Sequence, residues 1–183
     1  MNEFLLKLKS FYDKVDRQSS ELSQKHKTRL KCKVGCFSCC VDNITVFEVE
    51  AEFIKQNCLE ILINETPYPK GLCAFLNDEG KCRIYPYRPY VCRTQGLPLR
   101  WLEETNEGKI VEMRDICPQN DEGESITNLK IEDFWTIGVF EEMLAQIQID
   151  YEKSLNNEVK LNRLRLRDLF KLGTFGSYEI FFN

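Results

Sequence analysis

Four cysteines fall within nine residues of this chain, in the run Cys32-Lys33-Val34-Gly35-Cys36-Phe37-Ser38-Cys39-Cys40. Five more follow, at Cys58, Cys73, Cys82, Cys92 and Cys117. The N-terminal apolar segment is interrupted by charge after three residues, which does not fit an export signal. Thiols this dense without such a signal are typical of metal ligands, and an odd number of cysteines does not fit a fully paired disulfide framework. The sequence therefore predicts a fold organised around a thiolate metal centre.

Length and charge narrow the class of protein. A chain of 183 residues suits one domain with a real core. The net charge of −4 gives no general attraction to nucleic acid or anionic lipid. No apolar run reaches the roughly 20 residues needed to span a bilayer. We therefore expect neither a nucleic-acid nor a membrane partner, and we expect the protein in the cytoplasm, where thiols stay reduced.

Apolar periodicity and a capping pattern predict several helices along the chain. Phe4, Leu8, Phe11 and Val15 share one face of an amphipathic N-terminal helix. Thr45-Val46-Phe47-Glu48 has the form of a capping box and predicts a helix over about 46–63. Further helices are expected over about 131–153 and 159–172, followed by an extended tail over 174–183 that packs on the domain.

Two stretches predict β-hairpins, because short apolar runs flank the four-residue turns Asn77-Asp78-Glu79-Gly80 and Thr105-Asn106-Glu107-Gly108. The first hairpin would bring Cys73 and Cys82 to one place. The predicted fold is mostly α with one or two small β-hairpins. It is a single domain over 1–183, with a metal-binding core at about 32–117 and C-terminal helices at about 131–172.

Three features close to the cysteine run have alternative interpretations. Cys58 lies on the apolar stripe of the 46–63 helix, so we expect a small buried core residue rather than a ligand. His26 is the only histidine, and we expect it at the surface, since one histidine cannot complete a facial triad. The basic residues from Lys25 to Lys33 are either a solvated face or cations that favour thiolate over thiol.

The cysteine spacing is compatible with more than one metal. Thiolates select zinc, copper(I) or iron–sulfur clusters, and Cys36-x2-Cys39 has the spacing of a zinc knuckle. Cys32-x3-Cys36-x2-Cys39 resembles the [4Fe–4S] triplet of radical S-adenosylmethionine enzymes. Phe37 is one position early for that motif, and the strand–helix alternation of their barrel is missing. Cys117-Pro118 is a junction typical of ferredoxins, and we favour iron–sulfur over zinc.

A longer pattern carries a family resemblance. Cys32-x3-Cys36-x2-Cys39-Cys40, Gly80-x-Cys82-x-Ile84-Tyr85 and Arg88-Pro89-x-x-Cys92-Arg93 together resemble the YkgJ or CxxCxxCC family, a zinc- or iron-chelating domain with eight characteristic cysteines. The resemblance covers about 32–117. It implies eight metal ligands, Cys32, Cys36, Cys39, Cys40, Cys73, Cys82, Cys92 and Cys117. The family is similar to the cysteine-rich part of flagellin lysine N-methylases, which implies a [4Fe–4S] cluster and methyl transfer in that branch.

Arg88 and Arg93 flank Cys92 and are candidates to support the metal centre, because guanidinium groups can offset thiolate charge and donate hydrogen bonds to sulfur.

Three functions fit these features. The first is a metal-binding protein that holds an iron–sulfur cluster for redox or protein-modification chemistry, with a protein substrate or redox partner. The second is a zinc-stabilised structural or binding module without catalysis. The third is a methyltransferase-like enzyme acting on protein lysine. No catalytic residue is assigned, and the sequence leaves open whether the protein is an enzyme.

Overall fold

The computed structural model describes residues 3–174. Its α-helices are α1 (Glu3–Lys25), α2 (Glu48–Asn57), α3 (Leu59–Asn64), α4 (Tyr90–Arg93) and α5 (Val139–Ser154). Its strands are β1 (Thr45–Phe47), β2 (Leu99–Glu104), β3 (Ile110–Asp115), β4 (Trp135–Thr136) and β5 (Arg163–Arg165). Short 3-10 helices span Tyr85–Tyr87, Pro118–Asn120, Ile126–Asn128, Ile131–Asp133 and Leu166–Thr174. Helix accounts for 46% of the described residues and strand for 14%, so helix predominates as predicted.

The predicted N-terminal helix is confirmed as α1, which continues to Lys25. Leu8, Phe11 and Val15 of its apolar stripe are buried, and Phe4 is half-buried. This stripe packs on α5 and contributes to an aromatic-rich core cluster with Trp135 and Phe140, whose rings stack at 4.4 Å between centroids. The spacing of apolar residues predicted this helix correctly, because a long helix that packs on the core through one face has apolar residues at regular intervals.

The capping box predicted at Thr45 is wrong. Thr45–Phe47 is instead strand β1, which pairs antiparallel with β5 so that Val46 lies opposite Leu164. The carboxylate that closes the start of α2 belongs to Glu50, which accepts a 3.2 Å hydrogen bond from the backbone N–H of Phe47. The helix also breaks at Cys58, whose backbone leaves the helical region, so two helices replace the single one expected over 46–63.

The second predicted hairpin is confirmed, and the first is reduced to a turn. Strands β2 and β3 pair antiparallel across the turn at 105–108, and β4 adds parallel to β2. Around Asn77, the chain forms only one isolated bridge, Leu76 with Cys82. The Asn77 side chain accepts from the backbone N–H groups of Glu79 and Lys81, so a side-chain-stabilised turn replaces the ladder.

The C-terminal helices depart from the prediction. The helix expected over 131–153 begins at Val139, because Trp135 is held in the sheet by its N–H bond to the Pro98 carbonyl and Gly138 has a φ of 95°. The helix expected over 159–172 is found only in part and as a 3-10 helix, which spans Leu166–Thr174, while Arg163–Arg165 form β5. The tail predicted to pack on the domain, from Phe175 onward, lies outside the described residues.

A second apolar cluster lies beneath the cysteine-bearing turns. It joins Ala51 and Ile54 of α2, Phe75 of the turn segment, and Leu169 and Phe170 of the C-terminal 3-10 helix. Phe75 and Phe170 contact each other with ring centroids 4.9 Å apart. The cysteines therefore lie above a core that α2 and the C-terminal segment build together. Across residues 3–174, no helix has the length and apolar character to cross a membrane.

Candidate metal centre

All nine cysteines are free thiols. The eight that the family resemblance implies as ligands come from four places in the fold. Cys32, Cys36, Cys39 and Cys40 lie in the loop between α1 and β1, Cys73 and Cys82 lie on either side of the turn at Asn77, Cys92 lies on α4, and Cys117 precedes the 3-10 helix Pro118–Asn120.

Backbone contacts bring the first two of these places together. The N–H of Cys73 donates to the carbonyl of Cys40 at 2.8 Å, and Val41 forms a β-bridge with Leu72. Arg167 reinforces the junction: it binds Asp42 and donates to the Leu72 carbonyl at 2.9 Å. No local sequence pattern indicates this role of Arg167, because its partners lie about a hundred residues earlier in the chain.

Four thiols form what we call the outer group: Cys32, Cys36, Cys39 and Cys117. Burial raises the pKa of Cys32, and the negative charge of the other three sulfurs, when ionised, raises it further. The side chains of Asn120 and Gln119, which closely follow Cys117, contact the sulfurs of Cys32 and Cys36 at 3.3 and 3.4 Å, so the Cys117 segment lies beside the cysteine loop. Their side chains are exposed or half-buried, which places the outer group at the protein surface.

The remaining four thiols form the inner group: Cys40, Cys73, Cys82 and Cys92. Burial raises the pKa of Cys92 well above its ordinary value, and repulsion from Cys73 and Cys82 adds to the effect. Repulsion from Cys73 and Cys92 likewise contributes to the raised pKa of Cys40. Cys73 is only 6% exposed and belongs to the second apolar cluster, and Cys40 and Cys82 pack against that cluster.

The adjacent residues Cys39 and Cys40 join the two groups. A hydrogen bond from the Cys40 thiol lowers the pKa of Cys39 to about 6, and the same bond raises that of Cys40. Cys39 also contributes to the repulsion felt by Cys32 in one group and by Cys92 in the other. One peptide unit therefore connects the outer group to the inner group.

Backbone amides and cations favour the ionised form of two inner thiols. Burial raises the pKa of Cys73 and Cys82, but the N–H groups of Phe75 and Ile84, each two residues further on, hydrogen-bond the sulfurs and oppose that rise. The positive charge of Arg83 acts in the same direction on both sulfurs. Donors directed at sulfur are what a metal-bound thiolate requires.

The two arginines expected to support the centre face α1. Arg93 pairs with Asp16 at 2.5 Å and stacks over the Tyr12 ring at 4.0 Å. Arg88 lies 3.5 Å from the same carboxylate, and its charge partly offsets the rise that burial causes in the pKa of Cys82. Arg88 and Arg93 therefore tie the segment that carries Cys92 to α1.

Cys58 and His26 are both buried. Cys58 is 4% exposed, and burial raises its pKa to about 11 with a smaller contribution from Cys82. The expectation of a buried Cys58 is confirmed, while its exclusion from the ligands stays a prediction. The expectation of a surface His26 is wrong: its side chain is buried, and Nε2 lies 2.8 Å from the Asp133 carbonyl oxygen.

The donor set suits a soft metal, although the side chains are not in ligating positions. Among residues 3–174, no three Cys, His, Asp or Glu side chains are arranged to hold a metal ion. The thiols nevertheless divide into two groups of four, and four thiolates complete either a tetrahedral zinc site or a [4Fe–4S] site. Binding would require the sulfurs to lose their protons and move closer together.

Comparison with known proteins agrees with this donor chemistry. Residues 31–118 match the model of the CxxCxxCC family, described as a "putative zinc- or iron-chelating domain". No curated protein and no solved structure matches the chain. The matched range contains all nine cysteines, including both groups of four. Over residues 31–118, the chain is therefore similar to the CxxCxxCC family.

Proposed function

We propose that this protein holds an iron–sulfur cluster, of the [4Fe–4S] type, in the outer group and serves redox or protein-modification chemistry. The observation that carries the proposal is the position of Cys117. Gln119 and Asn120, two and three residues after it, contact the sulfurs of Cys36 and Cys32, although Cys117 is 78 residues beyond Cys39 in the chain. A closely spaced triplet completed by a distant Cys-Pro is a ligand pattern of iron–sulfur proteins.

The exposure of the outer group supports the functional part of the proposal. The Cys32 side chain is exposed, and those of Cys36 and Cys117 are half-buried. A cluster at the surface is accessible to a redox partner or a protein substrate. The bound group would supply one-electron chemistry, and the chain's own thiolates would hold it at that surface.

A zinc-stabilised module is the second candidate, and the inner group favours it. Cys73 belongs to the second apolar cluster, Cys40 and Cys82 pack against it, and the sulfurs of Cys73 and Cys82 accept backbone N–H bonds. Closed four-cysteine sites of this kind are typical of structural zinc. A protein with metal in both groups would combine a stabilising inner site with a functional outer one. Lysine methylation, the third function, gains no support from any side chain in the described range.

The test is purification without oxygen, followed by iron, sulfide and zinc analysis and an absorption spectrum. We expect iron and sulfide in the wild-type protein. Cys117→Ser should abolish them together with visible absorption, and Cys58→Ala should not. Zinc alone, with neither iron nor sulfide, would refute the iron–sulfur assignment. Zinc after aerobic purification does not decide the matter, since zinc readily occupies thiolate sites that have lost a cluster.

A further inference from the structure

We propose that Asn120 is a positioning residue for the outer group, whose side-chain amide donates a hydrogen bond to the Cys32 sulfur and fixes it for metal binding. The proposal rests on the proposed metal-binding function. Asn120 follows the ligand Cys117 by three residues, at the end of the 3-10 helix Pro118–Asn120. Its side chain is fully buried, with 0% exposure, although the thiols around it reach the surface.

Two backbone groups fix the orientation of the Asn120 amide. Its Oδ1 accepts a 2.8 Å hydrogen bond from the N–H of Lys31, which can only donate. Its Nδ2 donates a 2.8 Å hydrogen bond to the carbonyl of Gly96, which can only accept. The oxygen and nitrogen of an asparagine are assigned by such partners. The NH2 group is therefore the end that faces Cys32, independently of the state of the sulfur.

The second proton of that NH2 group is directed at sulfur. Asn120 Nδ2 lies 3.3 Å from Cys32 Sγ. An amide N–H can only donate, so the sulfur must accept, and an ionised or metal-bound sulfur accepts better than a thiol. The Asn120 side chain thus makes three hydrogen bonds, to the segments at Lys31, Cys32 and Gly96.

The chain at Gly96 is shaped to admit both partners. A Cβ atom at this position would lie 2.5 Å from Cys32 Sγ and 3.2 Å from Asn120 Nδ2. The φ of Gly96 is +91°, in the region that favours glycine. Any other residue would press on the sulfur and the amide together. Gly96 and Asn120 therefore both pack closely against the sulfur of Cys32, a predicted ligand of the outer group.

The side-chain amide of the neighbouring residue Gln119 also contacts a sulfur, but there the sulfur is the hydrogen-bond donor. Its Nε2 donates to Ser38 Oγ at 2.9 Å, and its Oε1 accepts from the Cys36 thiol at 3.4 Å. A bond from a thiol proton is lost when the sulfur binds metal. Of these two amides, Asn120 supports the bound form of its cysteine and Gln119 does not.

The sharpest test replaces Asn120 by its nearly isosteric acid. In Asn120→Asp, an oxygen takes the place of the NH2 group and faces both the Gly96 carbonyl and the Cys32 sulfur, so two attractive contacts become repulsive. Partners that orient a metal ligand typically contribute 10- to 100-fold in metal affinity. We expect Asn120→Asp to release bound metal to excess EDTA about tenfold faster than wild type, measured without oxygen.

Asn106→Asp is the matched control, because it adds the same charge at the exposed tip of the β2–β3 hairpin. Its release rate should equal that of wild type. Equal rates for Asn120→Asp and wild type would overturn the role of Asn120 while leaving metal binding intact. A wild-type protein that binds no metal would refute the proposed function, and the role of Asn120 with it.

The wild-type protein allows a second measurement in case Asn120→Asp does not fold. With ¹¹³Cd bound, a hydrogen bond from nitrogen to a metal-bound sulfur transmits scalar coupling to the amide proton. We expect coupling at the Asn120 side-chain amide and none at that of Gln119. Coupling at backbone amides such as Phe75 and Ile84 but not at Asn120 would contradict the proposal.

Discussion

The backbone N–H of Cys73 donates a 2.8 Å hydrogen bond to the carbonyl oxygen of Cys40. This bond joins two segments that each supply thiols to the inner group, and the bridge between Val41 and Leu72 continues it. The relative position of the two cysteines therefore depends on backbone pairing as well as on bound metal. Residues that secure this pairing should influence the inner group without touching a sulfur.

Arg167 is such a residue. It donates to the carbonyls of Tyr68, Pro69 and Leu72 and binds Asp42, so it fastens both sides of the junction. Arg167→Ala should lower the free energy of unfolding by about 2 kcal/mol, since bonds from charged donors contribute more than neutral ones. Inner-group metal should also exchange faster. Denaturant unfolding and metal-release kinetics measure the two effects.

Arg165→Ala provides the comparison, because Arg165 is an exposed arginine two residues earlier on β5. Its substitution should change stability by less than about 0.5 kcal/mol. If Arg167→Ala and Arg165→Ala behave alike, the junction does not depend on the Arg167 guanidinium.

Cys58 should prove dispensable for metal. It is buried beside Ile54 and Leu62 in the second apolar cluster. Cys58→Ala should cost about 1 kcal/mol, as a small core truncation does, and should leave the metal content unchanged. Cys73→Ala, a buried thiol of the inner group, should lose metal. Elemental analysis of the two variants tests the difference, and metal loss in Cys58→Ala would make Cys58 a ligand.

Metal removal should loosen the cysteine-bearing half of the protein. Long turns carry most of residues 65–98, and only short helices interrupt them. Metal that binds the folded state alone adds its binding free energy to stability. Prolonged chelation, or Cys36→Ser, should therefore lower the melting temperature. An unchanged melting temperature after complete removal would show that the fold does not rely on the metal.

Glu50 should be important for the position of α4, which carries Cys92. Its buried carboxylate accepts hydrogen bonds from the Tyr12 hydroxyl and the Tyr90 N–H, both at 2.9 Å, and from the Phe47 N–H. Glu50→Ala would leave these donors unpaired, so the free energy of unfolding should fall by about 3 kcal/mol. Glu60→Ala, at an exposed position on α3, should be nearly neutral, and calorimetry compares the two.

Features with local causes could be predicted from the sequence. The apolar spacing of α1 and the turn at Thr105–Gly108 each depend on neighbouring residues, and both appear as expected. The family resemblance from Cys32 to Cys117 is likewise a matter of spacing, and the match over 31–118 confirms it.

Features with distant partners could not be predicted in this way. Strand β1 forms because Thr45 pairs with Arg165, 120 residues away, and that contact prevailed over a capping-box pattern. The same holds for Asn120, whose partners Lys31 and Gly96 come from separate segments. An asparagine after Cys-Pro carries no signal of this role in a single sequence.

Both core clusters extend beyond the family match, and this limits how the domain can be handled. The first needs Leu8 of α1 and Leu144 of α5, and the second needs Leu169. A fragment trimmed to 31–118 would expose those contacts to water and lose much of its apolar burial. The cysteine pattern marks the range that the family model matches, whereas the packed core also includes the flanking chain on both sides.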